Sequence, residues 1–293
     1  MSVSAQNVRE HGPRMPALFI GHGSPMNALQ LNGFTSAWRT LGKILPPPRA
    51  ILVVSAHWFI GSTVVTAMAR PRTIHDFYGF TQTLFDFDYP ASGSPDVAQE
   101  VVEAVKPDWV GLDRDQWGLD HGTWSVLAHL YPDADIPVLQ LSINALKPME
   151  YHLDLGTRLA SLRDQGILIL SSGNVVHNLR QVEWDKPTEG AAWARRFDEA
   201  ALAQMVEDPG AVLKLAEHPD FEQAVPTPDH FIPLLYTAGI AAIEGGAQPM
   251  IKGYSLGSLS MTSYNVGPHI DLPCEAEAVA DLPADVPPDQ TNI

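Results

Sequence analysis

The sequence predicts an α/β fold: a mainly parallel, mixed central sheet with helices on both faces, in a single domain. Several short apolar runs lack the in–out alternation of a half-exposed strand, which is typical of strands buried on both faces. Helical patterns lie between these runs, as the crossover connections of a parallel sheet require. Residues 16–268 contain neither an internal repeat nor a linker, which indicates one domain.

The predicted strands are bounded by glycine, proline or polar residues and lie at 17–20, 49–55, 136–143 and 166–170. The helix candidates between and after them lie at 94–105, 122–130, 149–164 and 188–206. The first of these helices begins at Ser94-Pro95-Asp96, because serine caps a first turn and proline fits its first position. Two late segments, 253–255 and 259–264, are candidates for antiparallel strands at an edge of the sheet.

The composition excludes several classes of protein. Of the 293 residues, 34 are acidic and 18 are Lys or Arg, so the formal net charge is −16, and no basic stripe is present to bind nucleic-acid phosphates. No apolar run approaches the roughly 18 residues of a membrane helix, and the N-terminal sequence has no apolar stretch of signal-peptide length. We therefore expect a cytoplasmic protein without a nucleic-acid or membrane partner. Its oligomeric state is not indicated by the composition.

The two ends of the chain differ from the rest. Residues 1–15 are predicted to be a flexible N-terminus, and residues 269–293 an acidic, proline-rich, disordered tail. From Asp271 onward there are six acidic residues, four prolines and no Lys or Arg. Such a segment buries little apolar surface, so its six negative charges carry no information about a binding site.

Eleven histidines stand beside a single cysteine, Cys274, which excludes a cysteine-based metal site. Three of the buried-strand patterns run into a histidine: His22, His57 and His177. The carboxyl ends of parallel strands share one edge of the sheet, where open α/β folds bind their ligands. The pattern therefore predicts a shared metal or catalytic site, although a single histidine in such a place is more often an ordinary loop residue.

Further histidines are candidates for the same site. His230, in Pro-Thr-Pro-Asp-His-Phe, is one; the alternative is that Asp229 only caps the following helix and His230 fills its first turn. His121, beside glycine and aromatic residues, and His75, in an aromatic loop, are candidates for its surroundings. Widely spaced imidazoles without cysteine suit Fe(II) or Zn(II). The sequence contains neither a His-x-x-x-His zinc-protease motif nor a glycine-rich phosphate loop.

Six motifs occur in the same order as in a known group of enzymes. They are Gly-His-Gly-Ser-Pro at 21–25, Ser-Ala-His-Trp at 55–58, His-Asp-Phe-Tyr-Gly-Phe at 75–80, Leu-Asp-His-Gly-Thr-Trp at 119–124, Ser-Gly-Asn-Val-Val-His-Asn-Leu at 172–179 and Pro-Thr-Pro-Asp-His-Phe at 226–231. In these motifs the sequence closely resembles the 4,5-DOPA extradiol dioxygenase family, within the class III ring-cleaving dioxygenases. The resemblance spans about residues 16–264.

The resemblance implies that the domain cleaves a catechol such as DOPA with O2 to a muconic semialdehyde. It implies one mononuclear divalent metal, Fe(II) for activity, with His22, His57 and His230 as ligands. An all-histidine set also suits zinc, so Zn(II) is the other candidate for the bound metal. By the same resemblance, His177 is a fourth ligand or the acid–base residue beside the metal, and His121 contacts substrate or oxygen.

Aromatic side chains near these motifs are candidates for a wall that holds the substrate ring. They are Trp58, His75, Phe77, Tyr78 and Tyr264. The alternative is that they are aromatic residues of the core. Two other functions stay open at this point: a zinc-dependent hydrolase in which His177 or Asp229 is the base, and a catalytically silent protein that binds a metal or an aromatic ligand.

Overall fold

The computed structural model describes residues 13–272, in which eight α-helices and twelve strands alternate along the chain. The helices are α1 Gly33–Ile44, α2 Gln82–Phe85, α3 Pro95–Ala104, α4 His121–Leu130, α5 Met149–Leu159, α6 Ala192–Glu207, α7 Phe221–Ala224 and α8 Ile232–Glu244. The strands are β1 Ala17–Gly21, β2 Ala50–Ile60, β3 Val64–Thr66, β4 Arg72–Thr73, β5 Gly111–Asp113, β6 Gly118–Leu119, β7 Val138–Asn144, β8 Ile167–Gly173, β9 Gln248–Ile251, β10 Tyr254–Ser255, β11 Leu259–Ser260 and β12 Ser263–Val266. Short 3-10 helices occupy Pro25–Ala28, Ala160–Gln165, Leu179–Gln181 and Pro209–Glu217.

One eight-stranded sheet organises the molecule, in the order β5-β3-β7-β2-β8-β1-β12-β9. Its four central strands, β7, β2, β8 and β1, are parallel to one another. On the β1 side the sheet is completed by β12 and β9, which are antiparallel to their neighbours, and β3 pairs with β7 antiparallel. The predicted α/β class with a mainly parallel, mixed sheet is confirmed.

Neighbouring residues of the central strands point into two hydrophobic layers. Phe19 packs in the layer that α5, α6 and α8 cover, whereas Leu18 and Ile20 pack in the layer that α1 and α4 cover. All five residues of β1 are buried. Because neither face of these strands meets water, their sequences are continuous apolar runs without alternation.

The predicted central strands lie where the sequence placed them, and the differences concern how they end. The strand predicted at 49–55 continues to Ile60, and the helix predicted at 149–164 changes at Ala160 into a 3-10 helix. The two late segments do not both join the sheet. Strands β10 and β11 pair with each other, and only β12 enters the main sheet, next to β1.

The described parts of the two segments predicted to be flexible include buried residues. The buried guanidinium of Arg163 donates to the carbonyl of Met15 at 2.7 Å and to that of Val266 at 2.9 Å, so Met15 is buried rather than loose. At the other end, Ile270 and Leu272 pack into the α1–α4 layer. The remaining parts of the predicted flexible ends, 1–12 and 273–293, lie outside the described residues. Within 13–272, no helix has the length and apolar character to cross a membrane.

Gly156 in α5 and Gly239 in α8 allow these two helices to pack backbone against backbone. A Cβ at Gly156 would lie 2.2 Å from the carbonyl oxygen of Tyr236, and a Cβ at Gly239 would lie 2.0 Å from that of Leu153. Glycine-to-alanine changes within a helix ordinarily stabilise it by about 1 kcal/mol. We expect G156A and G239A instead to lower the free energy of unfolding by about 2 kcal/mol or more, because backbone atoms block the methyl group.

Urea unfolding measures this effect, with Gly210→Ala as the control. The nearest atom to a Cβ at Gly210 would be 3.7 Å away, which is ordinary contact, so this variant should keep the wild-type midpoint or raise it slightly. Wild-type midpoints in G156A and G239A would contradict the packing described here.

His152 in α5 should make the stability depend on pH. It is fully buried, its Nδ1 lies 3.0 Å from the hydroxyl of Tyr236, and burial lowers its pKa to about 4. Between about pH 6.5 and about pH 4 the unfolded chain binds a proton at this residue that the native chain does not. The free energy of unfolding should therefore fall as the pH falls through this window, by up to about 3 kcal/mol.

The variant His152→Gln lacks this protonation but keeps a polar side chain. Urea unfolding of both chains at pH 7 and pH 4.5 should show a smaller loss of stability in H152Q than in the wild type. Equal losses in the two chains would contradict the assignment to His152.

Candidate metal centre

Three of the predicted histidines meet at the carboxyl edge of the sheet. His22 follows β1, His57 lies within β2, and His230 precedes α8. One ring nitrogen of each lies within 4.8 Å of the corresponding nitrogens of the other two. The rings belong to elements far apart in sequence, so the cluster exists only because the sheet brings these strand ends together.

An irregularity in β2 places His57 at this edge. The pairing of β2 with β7 passes from Val54↔Leu141 directly to Phe59↔Ile143, so three extra residues are accommodated on β2. His57 lies in this bulged stretch and is outside the regular ladder with β7. Bulges commonly turn a side chain toward a functional site.

His230 is placed by a close approach of two backbones. The backbone N–H of Asn174 donates to the carbonyl oxygen of His230 at 2.9 Å. A Cβ at Gly173 would lie only 2.3 Å from the same oxygen. Only glycine fits at the end of β8 for this reason. Helix α8 begins at Ile232 after Phe231 and has no side-chain cap, so Asp229 is not the helix cap that the alternative reading required.

The tautomer of His22 follows from its neighbour Ser172. The Ser172 hydroxyl donates its one proton to the carbonyl of Gly122 at 2.5 Å. Its 2.9 Å contact with Nδ1 of His22 must therefore be donated by the histidine. A neutral imidazole that carries its proton on Nδ1 leaves the lone pair on Nε2, the nitrogen that a metal would use.

His57 and His230 each have a carboxylate beside Nδ1. Nδ1 of His57 lies 3.3 Å from Oδ2 of Asp76, and Nδ1 of His230 is hydrogen-bonded to Oδ2 of Asp229. An ionised carboxylate only accepts, so Nδ1 of His230 donates to Asp229. The contact of His57 with Asp76 is an ion-pair distance rather than a hydrogen bond, and the negative charge of the carboxylate favours a proton on Nδ1 of His57. Nε2 of His230 is buried and has no hydrogen-bond partner among the described residues.

The donor set fits a divalent cation. Nε2 of His22 and Nε2 of His57 face each other at 3.1 Å, and with both Nδ1 atoms protonated neither nitrogen can donate to the other. Burial, and then the neighbouring imidazoles, lowers the pKa of His22 and that of His57 well below the ordinary value. Both rings are therefore held neutral with converging lone pairs, and three imidazole nitrogens suit Fe(II) or Zn(II).

His121 and Asp76 form a second part of the same cluster. Oδ1 of Asp76 accepts from the backbone N–H and from Nδ1 of His121, both at 3.0 Å, and the His121 ring lies 3.8 Å from that of His57. Burial raises the pKa of Asp76, but the adjacent His121 and His57 and the hydrogen bonds from His121 lower it well below its usual range overall. Asp76 is thus an ionised, acceptor-only group between the two imidazoles.

A fully buried carboxyl group, that of Asp120, is linked to the backbone of His57 through Ser55. It accepts from the hydroxyl of Ser55 at 2.7 Å, from the amide of Thr123 at 3.2 Å, and from the side chain of Gln140. Ser55 in turn accepts from the backbone N–H of His57 at 3.3 Å. Burial raises the pKa of Asp120 to about 6, and the hydrogen bonds oppose that rise.

His177 lies beside the three-nitrogen group and not within it. Its ring stacks on that of His230 with a centroid distance of 3.6 Å and an interplanar angle of 2°. Its backbone N–H donates to the carbonyl of Ala224 at 2.9 Å, which fixes the segment after β8 against α7. The structure therefore brings His177 to the site without placing it among the three candidate ligands.

The aromatic residues predicted to hold the substrate ring lie in different surroundings and do not form one wall. The ring centroid of Phe77 lies 5.6 Å from that of His121 and 5.8 Å from that of His75. Nε2 of His75 donates to the carbonyl oxygen of Phe87 at 2.8 Å. Trp58 stacks on Trp117 at 5.6 Å, and Tyr78 is 52% exposed.

Tyr264 is placed elsewhere. It is fully buried in the layer covered by α8, where its ring lies 6.1 Å from that of Phe19. The structure does not join Tyr264 to the histidine cluster, because the alternation of β12 turns its side chain into the core. Tyr264 is therefore an aromatic residue of the core, as the alternative interpretation predicts.

Two contact residues, Asp76 and Ser172, were not among the predicted site residues. Both lie within motifs that the sequence offers, Asp76 directly after His75 and Ser172 at the end of β8. A buried carboxylate or hydroxyl near a ligand histidine is a common partner for its second nitrogen. The available signal was therefore their position in those motifs, and the histidines hydrogen-bonded to them, His121 and His22, lie 45 and 150 residues away.

Known proteins are similar to this chain in sequence and in fold. Residues 10–266 match the family model described as the catalytic LigB subunit of aromatic ring-opening dioxygenase. The 4,5-DOPA dioxygenase extradiol of Escherichia coli (strain K12) is 50% identical over 261 residues, covering 87% of this chain and 95% of the relative. The protein of the same name from Beta vulgaris is 34% identical, covering 89% and 97%.

A solved structure is also similar. The crystal structure of an uncharacterized protein from Escherichia coli K12 superposes with a TM-score of 0.74 at 45% identity, covering 87% of this chain and all of that one. The match of the family model includes β1, β2 and β8 and all of the histidines described above. The chain therefore belongs to the family of the catalytic LigB subunit of aromatic ring-opening dioxygenases.

Proposed function

We propose that the protein is a metal-dependent extradiol dioxygenase that opens the ring of a catechol with O2, beside its two hydroxyl groups, to a muconic semialdehyde. The observation that carries this proposal is the convergence of His22, His57 and His230, three imidazoles with one ring nitrogen each within 4.8 Å of the other two. Membership of a family of aromatic ring-opening dioxygenases supports ring cleavage as the reaction at this site. The names of the relatives make DOPA the first catechol to test.

We propose His22, His57 and His230 as the ligands of one Fe(II), with Zn(II) as the alternative occupant. A metal bound there supplies a Lewis acid that acidifies the catechol and, if it is iron, a redox partner for oxygen. The chain supplies the dry surroundings: His22 and His121 are fully buried, and His230 nearly so. In such surroundings charged substrate groups interact strongly with the site.

His177 is proposed as the acid–base residue rather than a fourth ligand. It stands outside the three-nitrogen group, and its face is covered by the His230 ring at 3.6 Å. In this role His177 takes a proton from a substrate hydroxyl and later returns it. General acid–base residues of this kind act within hydrogen-bond reach of the substrate proton.

His121 and Phe77 are proposed to contact the substrate or oxygen. Nε2 of His121 is buried without a hydrogen-bond partner among the described residues, so it can serve a small polar group that enters the site. Phe77 lies 5.6 Å from His121 and presents an aromatic surface beside it. We assign His75, Trp58 and Tyr78 to the more distant surroundings, since each contacts other groups or solvent.

The all-histidine donor set also suits zinc, which keeps a zinc-dependent hydrolase as the second candidate. A serine hydrolase is not favoured, although Gly253-Tyr254-Ser255-Leu256-Gly257 matches the Gly-x-Ser-x-Gly pattern. Ser255 lies in the two-stranded β10–β11 sheet. A nucleophile elbow instead requires a turn from a strand into a helix.

The first test is ring cleavage by the metal-loaded protein. After anaerobic loading with Fe(II), addition of L-DOPA or unsubstituted catechol in air should consume oxygen and produce a yellow semialdehyde. Resorcinol, whose hydroxyl groups are not adjacent, is the control substrate and should give neither signal. Absence of oxygen uptake with every catechol would overturn the proposed function, and hydrolytic turnover by the zinc-loaded protein without oxygen would favour the second candidate.

The second test separates the ligands from the acid–base residue. His177→Ala should bind the metal as the wild type does but lower kcat about 100-fold or more, because the proton acceptor is lost. His22→Ala should lose the metal itself. His269→Ala, an exposed histidine paired with Gln248, is the control and should change neither property. Full turnover by metal-loaded H177A would contradict the role of His177.

A further inference from the structure

We propose that Asp76 is a positioning residue that orients two imidazoles at once, the metal ligand His57 and the adjacent His121. Its carboxylate accepts from Nδ1 of His121, and its charge, 3.3 Å from Nδ1 of His57, keeps the proton of His57 on that atom and leaves Nε2 of His57 for the metal. The inference rests on the proposed function, since a metal bound by His22, His57 and His230 is what this positioning serves.

The contacts of the carboxylate define the role. Oδ1 of Asp76 accepts from the backbone N–H and Nδ1 of His121, both at 3.0 Å, and Oδ2 lies 3.3 Å from Nδ1 of His57. Both side chains on which Asp76 acts are almost completely buried, so water does not replace these acceptors. Each Nδ1 therefore keeps its proton, and in a neutral ring the second nitrogen keeps its lone pair.

The sharing of one carboxylate is particular to this pair. His22 has Ser172 as its own acceptor and His230 has Asp229. His57 and His121 share Asp76, and their rings are 3.8 Å apart. A displacement of the carboxylate therefore moves a candidate ligand and its neighbour together.

The backbone around Asp76 is fixed by long-range contacts. Strands β4 and β6 pair through Thr73 and Leu119, the amide of Ile74 donates to the carbonyl of Leu119 at 2.7 Å, and the indole of Trp124 donates to the carbonyl of Ile74 at 2.9 Å. These bonds hold Asp76 at the first turn of α4, where backbone N–H groups lack partners within the helix. The carboxylate is thus held in place from two sides, as a positioning group requires.

The variant Asp76→Asn tests the inference with almost no change of shape. An asparagine can still accept from His121 through its oxygen, but its NH2 group then faces Nδ1 of His57, where two donors meet. His57 can relieve this conflict by moving its proton to Nε2, and the ring then cannot bind a metal through that atom. We expect D76N to bind Co(II) or Zn(II) about 10- to 100-fold more weakly than the wild type.

Metal affinity is measured anaerobically by competition with a chelator, and Asp88→Asn is the matched control. Asp88 lies in the same segment and accepts from the hydroxyl of Thr73 at 2.6 Å rather than from a histidine. D88N makes the same chemical change and should keep the wild-type affinity. Wild-type affinity in D76N would overturn the inference.

Histidine tautomers provide a second measurement that does not depend on the folding of any variant. In 15N-resolved NMR spectra of the metal-free wild type, His57 and His121 should both show a protonated Nδ1. A proton on Nε2 of His57 instead would overturn the inference. A folded D76N, checked by circular dichroism, should show that shift at His57.

The failure of this inference is distinguishable from the failure of the proposed function. If the wild type binds metal and consumes oxygen with catechols while D76N matches it in affinity and tautomer, only the inference fails. If the wild type binds metal without consuming oxygen and D76N binds it more weakly, the inference stands and the dioxygenase proposal fails. If the wild type binds no metal, both fail.

Discussion

The site depends on one constraint: three buried imidazoles must be neutral and must all point the same ring nitrogen inward. A neutral imidazole has one proton, so each inward Nε2 requires an acceptor for Nδ1 behind it. Ser172 and Asp229 are those acceptors for His22 and His230, and the Asp76 carboxylate lies 3.3 Å from Nδ1 of His57. At His22 and His57 burial completes the arrangement, because it disfavours the charged rings, lowers their pKa and keeps their lone pairs available.

The sheet meets this constraint through the ends of its central strands. His22 follows β1 and Ser172 lies in the adjacent β8, so pairing of the two strands sets their contact. The close approach of the His230 carbonyl to the end of β8 requires glycine at position 173. The bulge in β2 places His57 at the same edge of the sheet. The rigid strands and the helices packed on them thus hold a geometry that loops alone would hold less precisely.

The same neighbours divide the histidines by chemical role. Those with an acceptor behind Nδ1 and a free, converging Nε2 are suited to bind a metal. His177 lies outside the group of three candidate ligands and stacks on His230. His121 is fixed by the carboxylate that also serves His57. One small cluster therefore contains candidate ligands, a candidate base and a candidate substrate contact, distinguished by their positions relative to the three converging ring nitrogens.

The sequence by itself determined the class of fold, the central strands and the histidines that follow them. These features are local: apolar runs, helical periodicity and ordered motifs are visible within a few residues of one another. It did not indicate that Asp76 and Ser172 contact histidines, that Tyr264 belongs to the core, or that β10 and β11 leave the sheet. Tertiary structure decided these, because hydrogen-bond partners 45 to 150 residues apart depend on which strands pair and in which register.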